Sequence, residues 1–464
     1  MLRTLLLLLA FSSLLSGCAS YGVIGNLEKK RVSPQPPYSA LSIIGQKPFG
    51  NVSLILAFSG GGSRAAALSY GVLQELRDTQ IQIQGKNVRL LDEVDVISSV
   101  SGGSFTAAYY GLNGEKTFKD FEDVFLKKDI EGNLISKIMT PFLWFSDRGR
   151  TEVAVDYYEQ SVFKGATFAD LRQKDGPLII INASDLGNGI RFSFIQEYFD
   201  LLCSDINSFP VARAVTASSS VPVVFDPVVI RNYHDCPNKQ NSALLVLEQD
   251  QFTTYEMKSI RQGLQQYLET DKRRDYIHLV DGGITDNLGL RAIYEVLELM
   301  GGPEAMLKKA QIQPSGQFAV IAVNASTHSS SDIGTSNKVP DIETTINAVT
   351  DIQLHRYNNS TIEGFQNGMQ KWSKALSTPE KPVTPYFIEI GFDAIKDRKK
   401  RNFFNSIPTS FSLTEEQIDA LISAGRTLLR NHPKFQELLR NMQLPEPKKG
   451  HTRSRNKKGG LPVL

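Results

Sequence analysis

A nine-residue segment, residues 96–104, constrains the fold of this 464-residue chain more than any other. Its letters, VISSVSGGS, describe an apolar strand that runs into a tight turn of small residues with Ser101 at its tip. The residues that follow, 105–110, predict a helix closed by Gly111. A serine on such an elbow projects beyond the sheet, and the first N–H groups of the helix point toward its oxygen. Ser101 is therefore the candidate nucleophile, and Gly103 is one of the small residues that the turn requires. Taken alone, the segment is equally compatible with an ordinary Ser/Gly-rich loop.

A second strand, glycine loop and helix precede the elbow. Residues 52–58, VSLILAF, form an apolar run typical of a strand buried on both faces of a parallel sheet. The loop 59–64, SGGGSR, also fits the dinucleotide fingerprint G-x-G-x-x-A. That use is disfavoured, because the next candidate strand, residues 81–84, does not end in the acidic residue that would bind a ribose. The loop can instead aim backbone N–H groups at a developing oxyanion. Arg64 would orient the loop, meet a phosphate or cap a neighbouring element.

A third motif places a carboxylate after an apolar strand. Residues 278–289 read HLVDGGITDNLG, so that Asp281 enters a turn made by Gly282 and Gly283. The carboxyl ends of strands are where α/β folds keep their chemistry. Alone, however, Asp-Gly is a routine turn dipeptide.

The remaining pattern alternates strands and helices. Predicted strands are 177–183, 276–280, 318–324 and 386–390; predicted helices are 118–126, 152–163, 257–268, 290–300, 341–363 and 433–442. A capping box, Ser412 with Glu415, is predicted to open a further helix through Leu429. This alternation predicts a three-layer α/β fold with a mainly parallel central sheet and helices on both faces.

The amino terminus predicts export. Residues 4–15 are almost all apolar but too few to span a bilayer, and the following letters up to Cys18, LSGC, resemble the lipobox of bacterial lipoproteins. The resemblance implies a signal peptide over 1–17, a lipid on Cys18 and, because Ala19 is not aspartate, an outer-membrane location facing the periplasm. An ordinary cleaved signal is the alternative. Residues 18–50 are polar and predict a tether.

Composition narrows the partners further. The net charge of +2 gives no field that would attract nucleic acid, and no metal-ligand spacing occurs. Cys203 and Cys236 either pair in an oxidising compartment or stay as buried thiols. The tail, residues 444–464, is basic and predicted to be disordered.

Together the motifs resemble the patatin-like phospholipase family over roughly residues 52–296. The resemblance rests on residues 60–64 (GGGSR), the Ser101 elbow, 217–227 (ASSSVPVVFDP) and 281–283 (DGG). It implies a patatin-like fold and a lipid acyl hydrolase without a cofactor. It also implies Ser101 as nucleophile, Asp281 as base, and an oxyanion hole in the loop of Gly60, Gly61 and Gly62, with Gly61 and Gly62 donating. Ala65 and Ser99 stand where the family has glycine. The hydrolase domain is then 51–300, and residues 301–443 complete the same α/β domain.

Two questions stay open at this level. His328 and His355 follow Asp281, so a conventional Ser-Asp-His triad rivals the Ser-Asp dyad, whereas His278 is expected on the opposite face of its strand. The same fold could also serve a non-catalytic lipid-binding lipoprotein. The apolar run 139–145 would line an acyl groove, dip into lipid or pack in the core.

Overall fold

The computed structural model describes residues 21–29, 36–45, 52–83, 86–138, 149–172, 176–222, 224–234, 236, 239, 242–269, 274–328, 333 and 337–442. Three predicted features lie outside these residues: the signal peptide with Cys18, the apolar run 139–145 and the basic tail 444–464.

The described strands are numbered in chain order. They are β1 (Leu27–Glu28), β2 (Val52–Phe58), β3 (Gln80–Ile83), β4 (Lys86–Arg89), β5 (Val94–Val100), β6 (Leu178–Asp185), β7 (Ile190–Ser193), β8 (Ser204–Asp205), β9 (Val228–Arg231), β10 (Tyr276–Val280), β11 (Gln317–Asn324) and β12 (Thr384–Gly391).

One sheet of eight strands forms the middle layer. Its order is β12-β11-β2-β5-β6-β10-β9, and β7 pairs with β6 beside this path. The strands from β12 to β6 are parallel. In contrast, β10, β9 and β7 are antiparallel to their neighbours. The edge at which the five parallel strands end is called here the carboxyl edge.

The described α-helices are α1 (Ala40–Ile44), α2 (Gly62–Asp78), α3 (Gly102–Asn113), α4 (Thr117–Phe121), α5 (Ile130–Ile138), α6 (Arg150–Tyr158), α7 (Gln196–Asp200), α8 (Val211–Ser218), α9 (Tyr255–Gln265), α10 (Gly283–Asp286), α11 (Leu290–Leu299), α12 (Pro303–Ala310), α13 (Ile342–Leu376), α14 (Arg398–Ser406), α15 (Glu415–Arg430) and α16 (Pro433–Met442). Helices α4 and α6 continue as π-helical turns, Glu122–Leu126 and Glu159–Phe163.

Helices cover both faces of the sheet. On one face, α3 approaches so closely that a Cβ built at Gly111 would lie 2.5 Å from Ile179 Cγ1. On the other, α11, α12 and α13 surround Ile55, Val96 and Ile180, which point away from α3. The predicted three-layer α/β architecture with a mainly parallel sheet is confirmed.

Three predicted helix ends were wrong. The helix predicted over 341–363 continues to Leu376 as α13. Gly111 does not close α3, because it lies inside the helix against the sheet, and Gly114, with a φ of +51°, follows the last helical residue. The capping box of α15 is formed by Thr414 and Gln417 rather than by Ser412 and Glu415. The Ser412 hydroxyl instead donates to Asp129.

Part of the predicted tether is folded onto the sheet. Leu27–Glu28 pairs with Ser204–Asp205, and the buried Asn26 side chain donates to the Arg231 carbonyl. The Tyr38 ring is 1% exposed, and its hydroxyl donates to the Ile179 carbonyl. The polar composition of residues 18–50 concealed these contacts, because the polar groups are satisfied within the protein. Nearby, Cys203 and Cys236 form a disulfide, with Cα atoms 5.5 Å apart.

Within the described residues, no helix combines the length and apolar character needed to cross a membrane.

Candidate active site

The glycine loop and the elbow leave the sheet side by side. Strands β2 and β5 pair in parallel almost to their last residues. A Cβ built at Gly60 would lie 3.4 Å from the Ser101 Cβ. A Cβ built at Gly102 would lie 1.9 Å from the Gly62 carbonyl oxygen, a distance that real atoms do not adopt. The absence of side chains therefore lets the two backbones touch at the carboxyl edge.

Ser101 holds a strained backbone at this contact. Its φ of 48° and ψ of −121° lie outside the conformations that L-residues commonly adopt. The strain is balanced by a hydrogen bond from the Ser101 N–H to the Ser218 Oγ, 2.8 Å long. The Ser218 hydroxyl in turn donates to the Asn182 carbonyl at 2.6 Å. Ser218 thus fixes the nucleophile to the neighbouring strand β6.

Asp281 reaches the same point from the opposite direction. Strand β10 is antiparallel to β6, with Val280 opposite Ser184, so β10 comes from beyond the carboxyl edge and ends there, beside the elbow. The Asp281 carboxylate therefore arrives at the elbow. The Asp281 N–H donates to the Ser220 carbonyl and the Gly282 N–H to the Ser218 carbonyl.

Burial prepares the Asp281 carboxyl to act as a base. Burial raises the pKa of this group to about 6, while hydrogen bonds from the Gly283 N–H and the Ser101 hydroxyl act to lower it. The Gly283 N–H lies 2.7 Å from Oδ1. Ser101 and Asp281 are 5% and 8% exposed. A carboxyl with this pKa is ionised at neutral pH and accepts a proton more readily than an ordinary aspartate.

The glycine loop offers N–H groups to the space beside Ser101. Gly61 and Gly62 have positive φ values, 133° and 59°. Neither N–H has a hydrogen-bond acceptor among the described residues, which suits a pair of oxyanion donors. Gly60 belongs to the same loop but was not predicted to donate, and its N–H is bonded to the Asn287 carbonyl at 2.9 Å. Its contribution is the close approach to Ser101.

Arg64 is a structural arginine. Its guanidinium is buried and donates to the Ala325 carbonyl, the Ile407 carbonyl and the Thr409 hydroxyl. Burial lowers its pKa to about 10, and Asp351 acts to raise it. Of the three roles considered for Arg64, orientation of the loop and capping of a neighbouring element both agree with these bonds, since Ile407 is the C-cap residue of α14.

Sequence reasoning missed the residues that support these groups. Ser218 lies in the quoted segment 217–227, but nothing in the letters assigns its hydroxyl to the Ser101 N–H. Asn287 accepts from Gly60 and donates through Nδ2 to the Ser326 Oγ at 3.2 Å. The Ser410 carbonyl accepts from the Ser63 N–H at 2.8 Å. These contacts join distant parts of the chain and leave no local signal.

The two histidines of the rival triad have other partners. The His328 Nε2 lies 3.1 Å from the Asp393 Oδ2, and the ring is exposed. The His355 Nε2 lies 3.1 Å from the Thr327 carbonyl, and the two imidazoles stack with centroids 4.3 Å apart. Burial and His328 lower the pKa of His355. The Asp281 carboxyl instead accepts from the Gly283 N–H, and the neighbouring Ser101 hydroxyl acts to lower its pKa. His278 is exposed, as expected for the opposite face of β10.

A dinucleotide-binding site would require the next strand, β3, to lie in the central sheet, but β3 lies outside it. β3 pairs only with β4 in a separate hairpin, so it does not run beside β2 to place a ribose-binding residue near the glycine loop. Among the described residues, no three His, Cys, Asp or Glu side chains are grouped as metal ligands would be.

The chain is similar to one protein family and to several solved structures. Residues 56–294 match the family model described as Patatin-like phospholipase. No curated protein sequence matches the chain significantly. Among solved structures, human GIVD cytosolic phospholipase A2 has a TM-score of 0.41 at 10% identity, covering 87% of this chain and 64% of its own. Its complex with methyl gamma-linolenyl fluorophosphonate has a TM-score of 0.42 at 10% identity, covering 91% and 69%. The type III effector protein ExoU has a TM-score of 0.21 at 14% identity, covering 85% and 76%.

Proposed function

Because the chain belongs to the patatin-like phospholipase family, we propose that it is a serine lipid acyl hydrolase that uses Ser101 and Asp281 as a catalytic dyad. The observation that carries this proposal is the buried Asp281 carboxyl, whose pKa burial raises to about 6 and the neighbouring Ser101 hydroxyl acts to lower. The strained Ser101 backbone supports it, since strain of this kind concentrates at active sites.

The chemistry follows in two steps of acyl transfer. Asp281 takes the Ser101 proton as Oγ attacks the ester carbonyl carbon, and the carbonyl oxygen becomes an oxyanion that accepts the Gly61 and Gly62 N–H groups. Collapse breaks the ester bond, and the leaving alcohol takes the proton from Asp281. Water then attacks the acyl-serine while Asp281 accepts its proton. The fatty acid leaves, and the proton returns to the Ser101 oxygen.

Covalent labelling tests the nucleophile without assuming a substrate. We expect a fluorophosphonate probe to label the purified protein, and Ser101→Ala to abolish labelling and hydrolysis of chromogenic acyl esters. Ser219→Ala is the matched control, because that hydroxyl bonds within its own helix to the Val215 carbonyl. A folded parent protein that neither reacts with the probe nor cleaves short-chain or long-chain esters would instead be a non-catalytic lipid-binding lipoprotein.

We further propose that the protein is anchored by a lipid on Cys18 to the periplasmic face of the bacterial outer membrane. The support is the lipobox resemblance of residues 15–18, LSGC, after an apolar segment. Cys18→Ser is expected to release the processed protein from the membrane fraction or to leave its signal peptide uncleaved. A processed Cys18→Ser protein that still fractionates with membranes would contradict the anchor.

A further inference from the structure

Helix α13 extends beyond the sheet on which it packs. Near its end, the Trp372 ring lies beside Phe318, at the beginning of β11, with ring centroids 6.5 Å apart. In its middle, the Asn358 side chain donates to the Ser326 hydroxyl, just after β11 ends. The helix therefore runs antiparallel to β11 and passes the carboxyl edge near Asn358. At 1.5 Å per residue, the part from Ile342 to that point projects about 20 Å beyond the edge.

This projecting part, residues 337–357, is called here the arm, and one side of it is apolar. Val339, Ile342, Val349 and Ile352 are 83%, 79%, 53% and 56% exposed. The three helical residues lie on one side of α13, since at 3.6 residues per turn they fall within an arc of about 80°. Asp351, on another side, interacts electrostatically with Arg64, so the apolar side faces away from the protein.

The same side of α13 becomes polar where it runs along the sheet. Five helical turns, or eighteen residues, separate Ile342 from Ser360, Val349 from Asn367 and Ile352 from Gln370. All three of these later residues are exposed. Among the described side chains of α13, the exposed Ile and Val residues thus lie at the end of the helix that extends past the active site. Ordinary solvent exposure of the helix does not account for this change.

Further aliphatic residues are exposed around the candidate base. Val221 and Val224 follow the Ser220 carbonyl that binds the Asp281 N–H, and Ile284 follows the Asp281 turn; they are 42%, 55% and 53% exposed. Apolar groups are therefore exposed both around the dyad and on the arm, and both regions lie at the carboxyl edge of the sheet. A substrate with acyl chains must approach Ser101 from this side.

The charge of the arm and the apolar area that it exposes indicate which partner binds it. Residues 338–356 contain two basic and three acidic residues, so the arm lacks the cationic character that draws a helix to anionic lipid. Its four aliphatic side chains expose roughly a few hundred Å², less than the ~800 Å² per partner of a stable dimer. The charge of the arm therefore argues against anionic lipid, and its small exposed area argues against a second copy of the chain. A lipid surface of zwitterionic head groups fits both features.

We propose that the arm inserts its apolar side into the surface of a zwitterionic lipid bilayer and so holds the Ser101 site against its substrate. This proposal rests on the proposed function, because the lipid surface is taken to contain the ester that Ser101 attacks. Binding by the arm is nevertheless measurable without catalysis, so the failure of one proposal is distinguishable from the failure of the other.

The test uses the full chain with Cys18→Ser in every variant, so that no attached acyl chain contributes to membrane binding. Ile342→Glu, Val349→Glu and Ile352→Glu are combined in one variant. Ser360→Glu, Asn367→Glu and Gln370→Glu are combined in the control, which places the same charges on the same side five turns later. Co-sedimentation with phosphatidylcholine vesicles, hydrolysis of vesicle phospholipid and hydrolysis of a monomeric short-chain ester are measured for each.

We expect the arm variant to lose at least tenfold in vesicle binding and in vesicle hydrolysis, while its rate on the monomeric ester stays within about twofold. The control should match the parent in all three. Unchanged vesicle binding by the arm variant would overturn the proposal, as would a parent dimer in light scattering that the arm variant converts to monomer. A parent that binds vesicles through the arm but cleaves no ester would overturn the proposed function alone.

Discussion

The Ser101 N–H donates to the Ser218 Oγ across 117 residues of sequence, and this 2.8 Å bond holds the elbow in its strained conformation. The same hydroxyl donates to the Asn182 carbonyl on β6. Ser218 is therefore a positioning residue, because it acts on the nucleophile's backbone rather than on the reacting atoms.

Ser218→Ala is expected to destabilise the protein and to lower kcat. The substitution leaves the buried Ser101 N–H without its acceptor, which costs about 1 to 3 kcal/mol in the free energy of unfolding. A relaxed elbow would also move Ser101 Oγ, so kcat should fall at least tenfold with little change in KM. Denaturant unfolding and ester kinetics measure both effects. Ser219→Ala is the control, since that hydroxyl bonds within its own helix to the Val215 carbonyl at 2.8 Å. Equal kinetics for the two variants would contradict the positioning role.

Replacing the base separates the dyad from the triad. Asp281→Asn retains shape but removes the proton acceptor, and we expect a loss of activity nearly as large as that of Ser101→Ala, because the two residues act together. His328→Ala and His355→Ala should stay within about tenfold of the parent, or about 1.4 kcal/mol of barrier. Steady-state kinetics on one ester, with circular dichroism to verify folding, provides the comparison. A folded histidine variant as inactive as Ser101→Ala would move the mechanism to a triad.

The pH dependence of catalysis should report Asp281. Because its pKa is about 6 and the ionised form is the base, kcat/KM should rise with pH and reach half its plateau near pH 6. An ordinary aspartate would place this midpoint near 4. A pH–rate profile in buffers of constant ionic strength distinguishes the two values, and a midpoint near 4 would show that burial does not tune this carboxyl.

The same raised pKa predicts that Asp281→Asn stabilises the protein at neutral pH. A carboxyl whose pKa rises on folding favours the folded state below its unfolded pKa of about 4, and this contribution is lost as pH rises through about 6. The asparagine side chain does not titrate, so the variant loses no stability in this way as the pH rises. The free energy of unfolding of the variant, relative to the parent, should therefore increase by about 2 to 3 kcal/mol between pH 4 and 7. Urea unfolding at both pH values measures this, and a constant difference would contradict the prediction. Asp286 also has a raised pKa, but it is common to both proteins.

Gly102→Ala should disrupt the contact between the elbow and the glycine loop. Its Cβ would meet the Gly62 carbonyl oxygen, so one of the two backbones must shift and carry the oxyanion donors with it. We expect loss of activity and a lower Tm. Gly364→Ala offers the contrast, since its Cβ would meet nothing within 4 Å and alanine favours a helix by about 0.5 to 1 kcal/mol. An active Gly102→Ala protein would show that the contact is dispensable.

The sequence predicted the parts of the fold that depend on local pattern. The apolar run of β2 and the small residues of the elbow each indicate their structure within about ten residues, and the paired strands confirm the mainly parallel sheet. The direction of β10 had no such signal, because parallel and antiparallel neighbours can have the same alternation of side chains. The capping box of α15 was displaced by two residues because Ser412 and Thr414 both fit the pattern, and tertiary contacts with Asp129 decided between them.

For the candidate site, motif reasoning found the residues that would perform the chemistry but not those that hold them. The structure brings Ser101, Asp281, Gly61 and Gly62 together. Their catalytic roles stay predictions. The bond from the Gly60 N–H to the Asn287 carbonyl, for example, has no local signal in the sequence. Hydrogen bonds of this kind depend on the three-dimensional course of the chain, which a local pattern does not encode.

The bond between Ser63 and Ser410 determines when this site can form. Together with the Ile407 and Thr409 contacts of Arg64, it places the acceptors for the glycine loop more than 340 residues after the loop itself. A ribosome therefore completes Ser101 and Asp281 long before it completes the segment that fixes the loop beside them. Contacts so distant in sequence form slowly because a large loop must close first. We expect a chain that stops before Ile407 to lack ester hydrolysis, because its glycine loop would have none of these acceptors.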